Sequence, residues 1–146
     1  MTATRADLEG PPLGVGGWIV AGLFTVSGVV HLVRPKVFEP IVPHALPAHR
    51  LLVYVSGVAE LGCAAGLSRS RTRRAAGLAS AALLVAVFPA NVTMTVDTWH
   101  RWQAGRTSGT YLSATVLRLP LQAPLVWWAW RAGRPPKAPR ARDHRP

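Results

Sequence analysis

The 146 residues predict an all-α fold, a bundle of four transmembrane helices. Three observations carry that expectation. Four apolar stretches, at about 14–33, 51–67, 75–94 and 112–130, each reach the roughly 17–20 residues that a helix needs to cross some 30 Å of hydrocarbon. The connections between them are short and polar, leaving no room for a separate soluble domain. Lys and Arg are also distributed unevenly, in the manner of a chain whose alternate loops face opposite sides of a membrane. The mean hydropathy of +0.20 is modest because the ends and links are rich in arginine. The expected organisation is an N-terminal tail over residues 1–13, a transmembrane domain over 14–132 and a basic, disordered tail over 133–146.

The first stretch, GVGGWIVAGLFTVSGVVHLV, reads as a signal anchor and not a cleaved signal peptide. It is longer than a usual h-region, Asp7 and Glu9 precede it beside Arg5, and three more spans follow. The link after it, RPKVFEPIVPHALPAHR, holds Pro35, Pro40, Pro43 and Pro47 with apolar residues between them. Proline fixes φ and removes donors, so the link predicts an ordered, non-helical lid. Phe38, Ile41, Pro43, Leu46 and Pro47 form that lid, and Phe38, Ile41 and Leu46 are expected to pack on the outer ends of the spans. Glu39, His44 and His49 match no strong metal-ligand spacing, so no metal site is expected.

The second stretch contains Ser56 and Glu60, which share a helix face, and the single cysteine, Cys63. One thiol excludes an intrachain disulfide and a Cys-x-x-Cys redox centre, and mid-span it behaves as a small apolar group. The third stretch has Pro89 before Asn91, and the fourth has Arg118, Pro120, Gln122 and Pro124. Prolines free carbonyls within a helix, which suits helices lining a cavity. Small residues recur four apart at Gly17, Ala21 and Thr25, at Gly62 and Gly66, and at Ala82, Ala86 and Ala90, a spacing that permits close helix approach. Trp127, Trp128 and Trp130 beside Arg131 form an interfacial belt at one side, with Trp99 and Trp102 marking the other.

Of the 17 Lys and Arg residues, eleven fall in the two tails and the second link, and five in the first and third links. The positive-inside rule therefore puts both termini in the cytoplasm and turns the lid outward, in a multi-pass protein of the cell membrane. The formal charge of +11 does not point to nucleic acid, because no aromatic platform accompanies the basic residues. The basic tail is read as topogenic, with anionic head groups as the partner it would otherwise grip.

His31, Glu60, Asn91, Arg118 and Gln122 interrupt the apolar stretches, and a rise of about 1.5 Å per residue places all five in the outer half of the bilayer. Ionisable groups at that depth are expensive and turn inward to pair or to line a path. With Ser56 they are the candidate ligand-binding residues. Arg118 is the expected counter-ion of Glu60, with Asn91 and Gln122 nearby and His31 at the rim. A purely structural role, fixing helix register, remains the alternative.

GLFTVSGVVHLVRPKVFEPIVPHALPAHR, SGVAELGCAAGL, FPANVTM and RLPLQAPLVWWAW resemble the DoxX-like family of small four-helix membrane proteins. The resemblance rests on His31, Val42 to Pro47, Ser56 to Glu60, Phe88 to Asn91 and Arg118 to Gln122, the same positions as the polar constellation. It implies association with membrane redox complexes, including a subunit of a thiosulfate:quinone oxidoreductase. The expected role is an accessory subunit, not a stand-alone enzyme, with a pocket for a quinone-like head group. The alternative is a non-catalytic assembly factor, or a protein that binds or transports a small lipid or solute. The expected partners are the lipid bilayer and a membrane or peripheral redox protein, with a homodimer left open and nucleic acid not expected.

Overall fold

The computed structural model describes residues 12–134, so most of the expected N-terminal tail and all but the start of the basic tail lie outside the described residues. Four α-helices follow one another: α1 (Val15–Val33), α2 (His49–Ser68), α3 (Arg73–Gln103) and α4 (Gly109–Ala132). No strand occurs among the described residues. α1, α2 and α3 are each long and apolar enough to cross a membrane. α4, with Arg118, Pro120, Gln122 and Pro124 in its middle, is not among them.

Local chemistry sets the helix ends. Ser108 caps α4, its hydroxyl accepting from the Tyr111 amide at 3.2 Å, which satisfies one of the orphan donors of a first turn. At the α2–α3 turn, Thr72 Oγ1 donates to the Gly66 carbonyl at 2.9 Å and Arg73 Nε to that of Leu67 at 3.1 Å, meeting acceptors that the last turn of α2 leaves open. Before α2 the chain passes through Ala48 in the left-handed region, φ 54°, where a β-carbon is strained.

The largest departure from the sequence expectation is α3. Its apolar run ends near Met94, but the helix continues to Gln103. Nothing between them breaks it: Thr95 and Thr98 return their hydroxyls to the carbonyls of Asn91 and Met94, and the first left-handed residue is Gly105, φ 68°. The limit of the apolar run therefore does not mark the helix end.

Each helix packs antiparallel on the next, and α1 also meets α4. The apolar core gathers Val20, Ala21, Phe24, Cys63, Ala64, Leu67, Leu84 and Ala129 in the half that holds the α2–α3 turn. Apart from Ser80, which bonds its own helix near that turn, the buried polar side chains (His31, Glu60, Asn91, Thr98, Thr115 and Gln122) occupy the middle and the other half, toward the α1–α2 link. Much of the outer surface is apolar, with Val15, Val26, Val58 and Val85 between 60 and 79% exposed. Soluble monomers rarely show so much, whereas hydrocarbon covers it.

The small-residue stripes contribute less than their spacing suggests. Gly62 has nothing near it and Ala82 and Ala86 face outward, although Gly66 packs on Ala76. The tight crossings involve Gly28 on α1 against Gly57 on α2, and Gly77 on α3 against Gly133.

Candidate functional site beneath the proline-rich link

The link after α1 forms two 3-10 turns, Pro35–Val37 and Glu39–Ile41, and crosses the ends of α1, α2 and α3. As the prolines lead one to expect, it holds no long helix. Pro35 and Val42 are buried, and Phe38, Ile41 and Pro43 half-buried. Leu46 departs from expectation: it is 47% exposed, and Pro47 is exposed too, because the chain turns outward before α2. Glu39 holds the link to α2 through Arg50, 3.7 Å away, while Arg50 also lies against Tyr54, its Nη2 3.4 Å from the hydroxyl. His44 is exposed, and no group of three potential metal ligands forms among the described residues.

His31, in the last turn of α1, lies under this lid. Its Nδ1 is 2.8 Å from the Ser27 carbonyl and 3.8 Å from Glu60 Oε2. A carbonyl only accepts, so Nδ1 carries the hydrogen and, in the neutral ring, Nε2 carries the lone pair. Phe38 stacks on the imidazole with ring centroids 3.8 Å apart and planes 18° from parallel. Glu60 is only 6% exposed. Ser27, His31 and Ser56 face its carboxyl, and Arg118 acts on it from farther away. Even so, Glu60 Oε2 and Ser56 Oγ are buried and close no hydrogen bond. Burying such acceptors without a donor is costly, which makes this corner chemically unsatisfied.

The other two polar residues form a second, self-contained pair. Asn91 Nδ2 donates to Gln122 Oε1 at 2.8 Å, and Gln122 Nε2 donates to the Leu84 carbonyl. Both side chains are buried and tie α3 to α4. Among the described residues no hydrogen bond or ion pair joins this pair to His31 and Glu60.

Arg118 is not the direct partner of Glu60. It is exposed, and its Nη1 reaches only Met94 Sδ, at 3.9 Å. Arg118 and Gln122 lie one turn apart on α4, but the shorter amide points into the helix interface while the long guanidinium stem leaves it. His31 is the group that sits next to the carboxylate. It is four residues after Ser27, a spacing from which the Ser27 contact was legible, although sequence reasoning passed over Ser27. The stacking of Phe38 had no such local sign.

An imidazole and a carboxylate this close, at the end of apolar helices, can exchange a proton and receive a hydrogen-bond donor. No curated protein and no solved structure matches the chain. Residues 20–133, which include the link and every residue of both polar pairs, match one family, and the chain therefore belongs to the family described as a domain of unknown function, DUF8561.

Proposed function

We propose that this chain is a DoxX-like, four-span integral membrane protein with both termini in the cytoplasm and the lid facing outward. It serves as an accessory subunit of a membrane redox complex and holds a quinone-like small molecule against His31 and Glu60. The observation that carries the reading is the Glu60 carboxylate, buried beside His31 under a lid and lacking a hydrogen-bond partner on Oε2. A buried carboxylate short of donors is a poor stabiliser beside apolar packing, so its presence favours a ligand over simple cohesion. The resemblance in the His31, Ser56–Glu60 and Arg118–Gln122 segments supplies the redox setting. With one cysteine and no Gly-rich nucleotide loop, the chain itself offers electrons no protein-based carrier, so a partner moves them.

A second reading, a non-catalytic protein that assembles partners or binds or moves a lipid or solute, is favoured by one observation. Arg118 stands exposed beside the outward apolar side chains Leu117 and Leu121, where a partner or a lipid phosphate would meet it.

Mass spectrometry of small molecules extracted from purified protein tests the choice. A quinone or similar ring recovered from the wild type and lost from Glu60→Gln supports the first reading; a protein client with no such ring supports the second. For orientation, a reporter active only in the cytoplasm should work after residue 146 and fail within residues 103–109. The reverse pattern removes the outward pocket.

A further inference from the structure

We propose that the site takes a ligand whose polar end is a hydrogen-bond donor, a hydroxyl on a flat ring. Within the quinone class, this means the reduced hydroquinone in preference to the oxidised quinone. The inference rests on the pocket reading above and narrows it.

The argument is an account of donors and acceptors. Quinone oxygens can only accept, so a quinone site must offer donors. The buried amides do not, because Asn91 Nδ2 is given to Gln122 and Gln122 Nε2 to the Leu84 carbonyl. The hydrogen on His31 Nδ1 is given to the Ser27 carbonyl at 2.8 Å. Arg118 is turned outward to Met94. What remains is the carboxylate acceptor Glu60 Oε2 and the lone pair of neutral His31 on Nε2, beside two hydroxyls, Ser56 Oγ and Ser27 Oγ (3.3 Å from His31 Nδ1), that donate as well as accept. Protonating His31 would add a donor at Nε2 and leave the Glu60 carboxylate an acceptor.

Ser56 is one turn from Glu60 on the same face, so one ligand hydroxyl could donate to Glu60 Oε2 while accepting from Ser56. A quinone carbonyl in that place would still accept from Ser56 but would set its oxygen against the Glu60 acceptor. The flat wall is in place as well. Phe38 lies parallel to the imidazole, half-buried on a turn whose neighbour Val37 is 60% exposed, so a ligand ring entering here would meet a flat aromatic surface.

Duroquinone, durohydroquinone and the dimethyl ether of durohydroquinone share one ring and differ at the oxygens. Anaerobic calorimetry of each against the full chain in detergent separates the possibilities. A hydrogen bond to a charged acceptor is worth about tenfold or more in affinity. Durohydroquinone should bind by about that factor more tightly than duroquinone, and the ether should fall to the quinone's level. Glu60→Gln, which brings an amide donor, should shrink or reverse the preference. Ser56→Ala, a gentler change, should weaken both ligands by a similar factor and keep the preference; loss of the preference in that variant would overturn Glu60 as its source. Equal affinities, or a tighter quinone, would overturn the donor requirement while leaving the pocket in place; this is the result a protonated, donating Glu60 would give. Failure of all three to bind the folded wild type would overturn both.

Discussion

Gly28 on α1 and Gly57 on α2 cross so closely that a β-carbon on Gly28 would lie 2.8 Å from the Gly57 carbonyl oxygen, and one on Gly57 would lie 2.8 Å from His31 Cβ. This crossing brings the last turn of α1 down onto α2, one turn from Glu60. Gly57→Ala should therefore force the helices apart at the polar pair. Overpacking of this kind costs about 1–3 kcal/mol. In detergent melts the variant should lose that much stability, whereas Gly62→Ala, with open space around it, should be near neutral.

The identity of the Glu60 partner is open to a direct cycle. His31→Gln and Glu60→Gln should be non-additive, with a coupling of about 0.5–3 kcal/mol, because the two side chains are in contact. Glu60→Gln and Arg118→Met should show a smaller coupling, since Arg118 acts on the carboxyl only from a distance and no contact joins them. A strong coupling to Arg118 and none to His31 would reverse the assignment made from the geometry.

Asn91 and Gln122 should behave as cohesion between α3 and α4. Each change to Leu should cost stability, and the double change should recover about 0.6 kcal/mol, up to about 1.7, the range found for interhelical hydrogen bonds in membranes. Because the pair is satisfied by itself, ligand binding at His31 should survive in any folded variant. Binding lost from a folded Asn91→Leu protein would merge the two polar pairs into one site.

The link can be mapped by thiol labelling in a Cys63→Ala background. A cysteine at residue 46 should react quickly and one at residue 42 slowly, following the exposed Leu46 and the buried Val42. Equal rates would mean that the link does not cover the helix ends.

The helical class and the rough extents of α1, α2 and α4 were legible in the apolar runs, because length and hydropathy are properties of single segments. The overrun of α3 was not, since Thr95 and Thr98 end the apolarity without ending the helix. The polar positions were legible as exceptions to their surroundings, but their grouping was not. Spacing put Arg118 and Gln122 on one face, yet spacing does not say that a six-atom stem will leave the interface while an amide stays in it. Nor do intervals of four show which glycines meet: the close crossing pairs Gly28 with Gly57, and neither belongs to a stripe.

The 31 residues of α3 correspond to about 46 Å of helix. Fitting that length inside about 30 Å of hydrocarbon would require a lean steeper than the roughly 40° that membrane helices reach. Upright, it matches the full bilayer from one head-group layer to the other, with Arg73 and Arg74 at one end and Trp99, Arg101 and Trp102 at the other. α3 is thus long enough to reach from one head-group layer of a bilayer to the other. Lipids with shorter tails would leave its Trp-bearing turn in water, and longer tails would draw that turn inward, together with the Glu39–Ile41 turn that rests on the same helix.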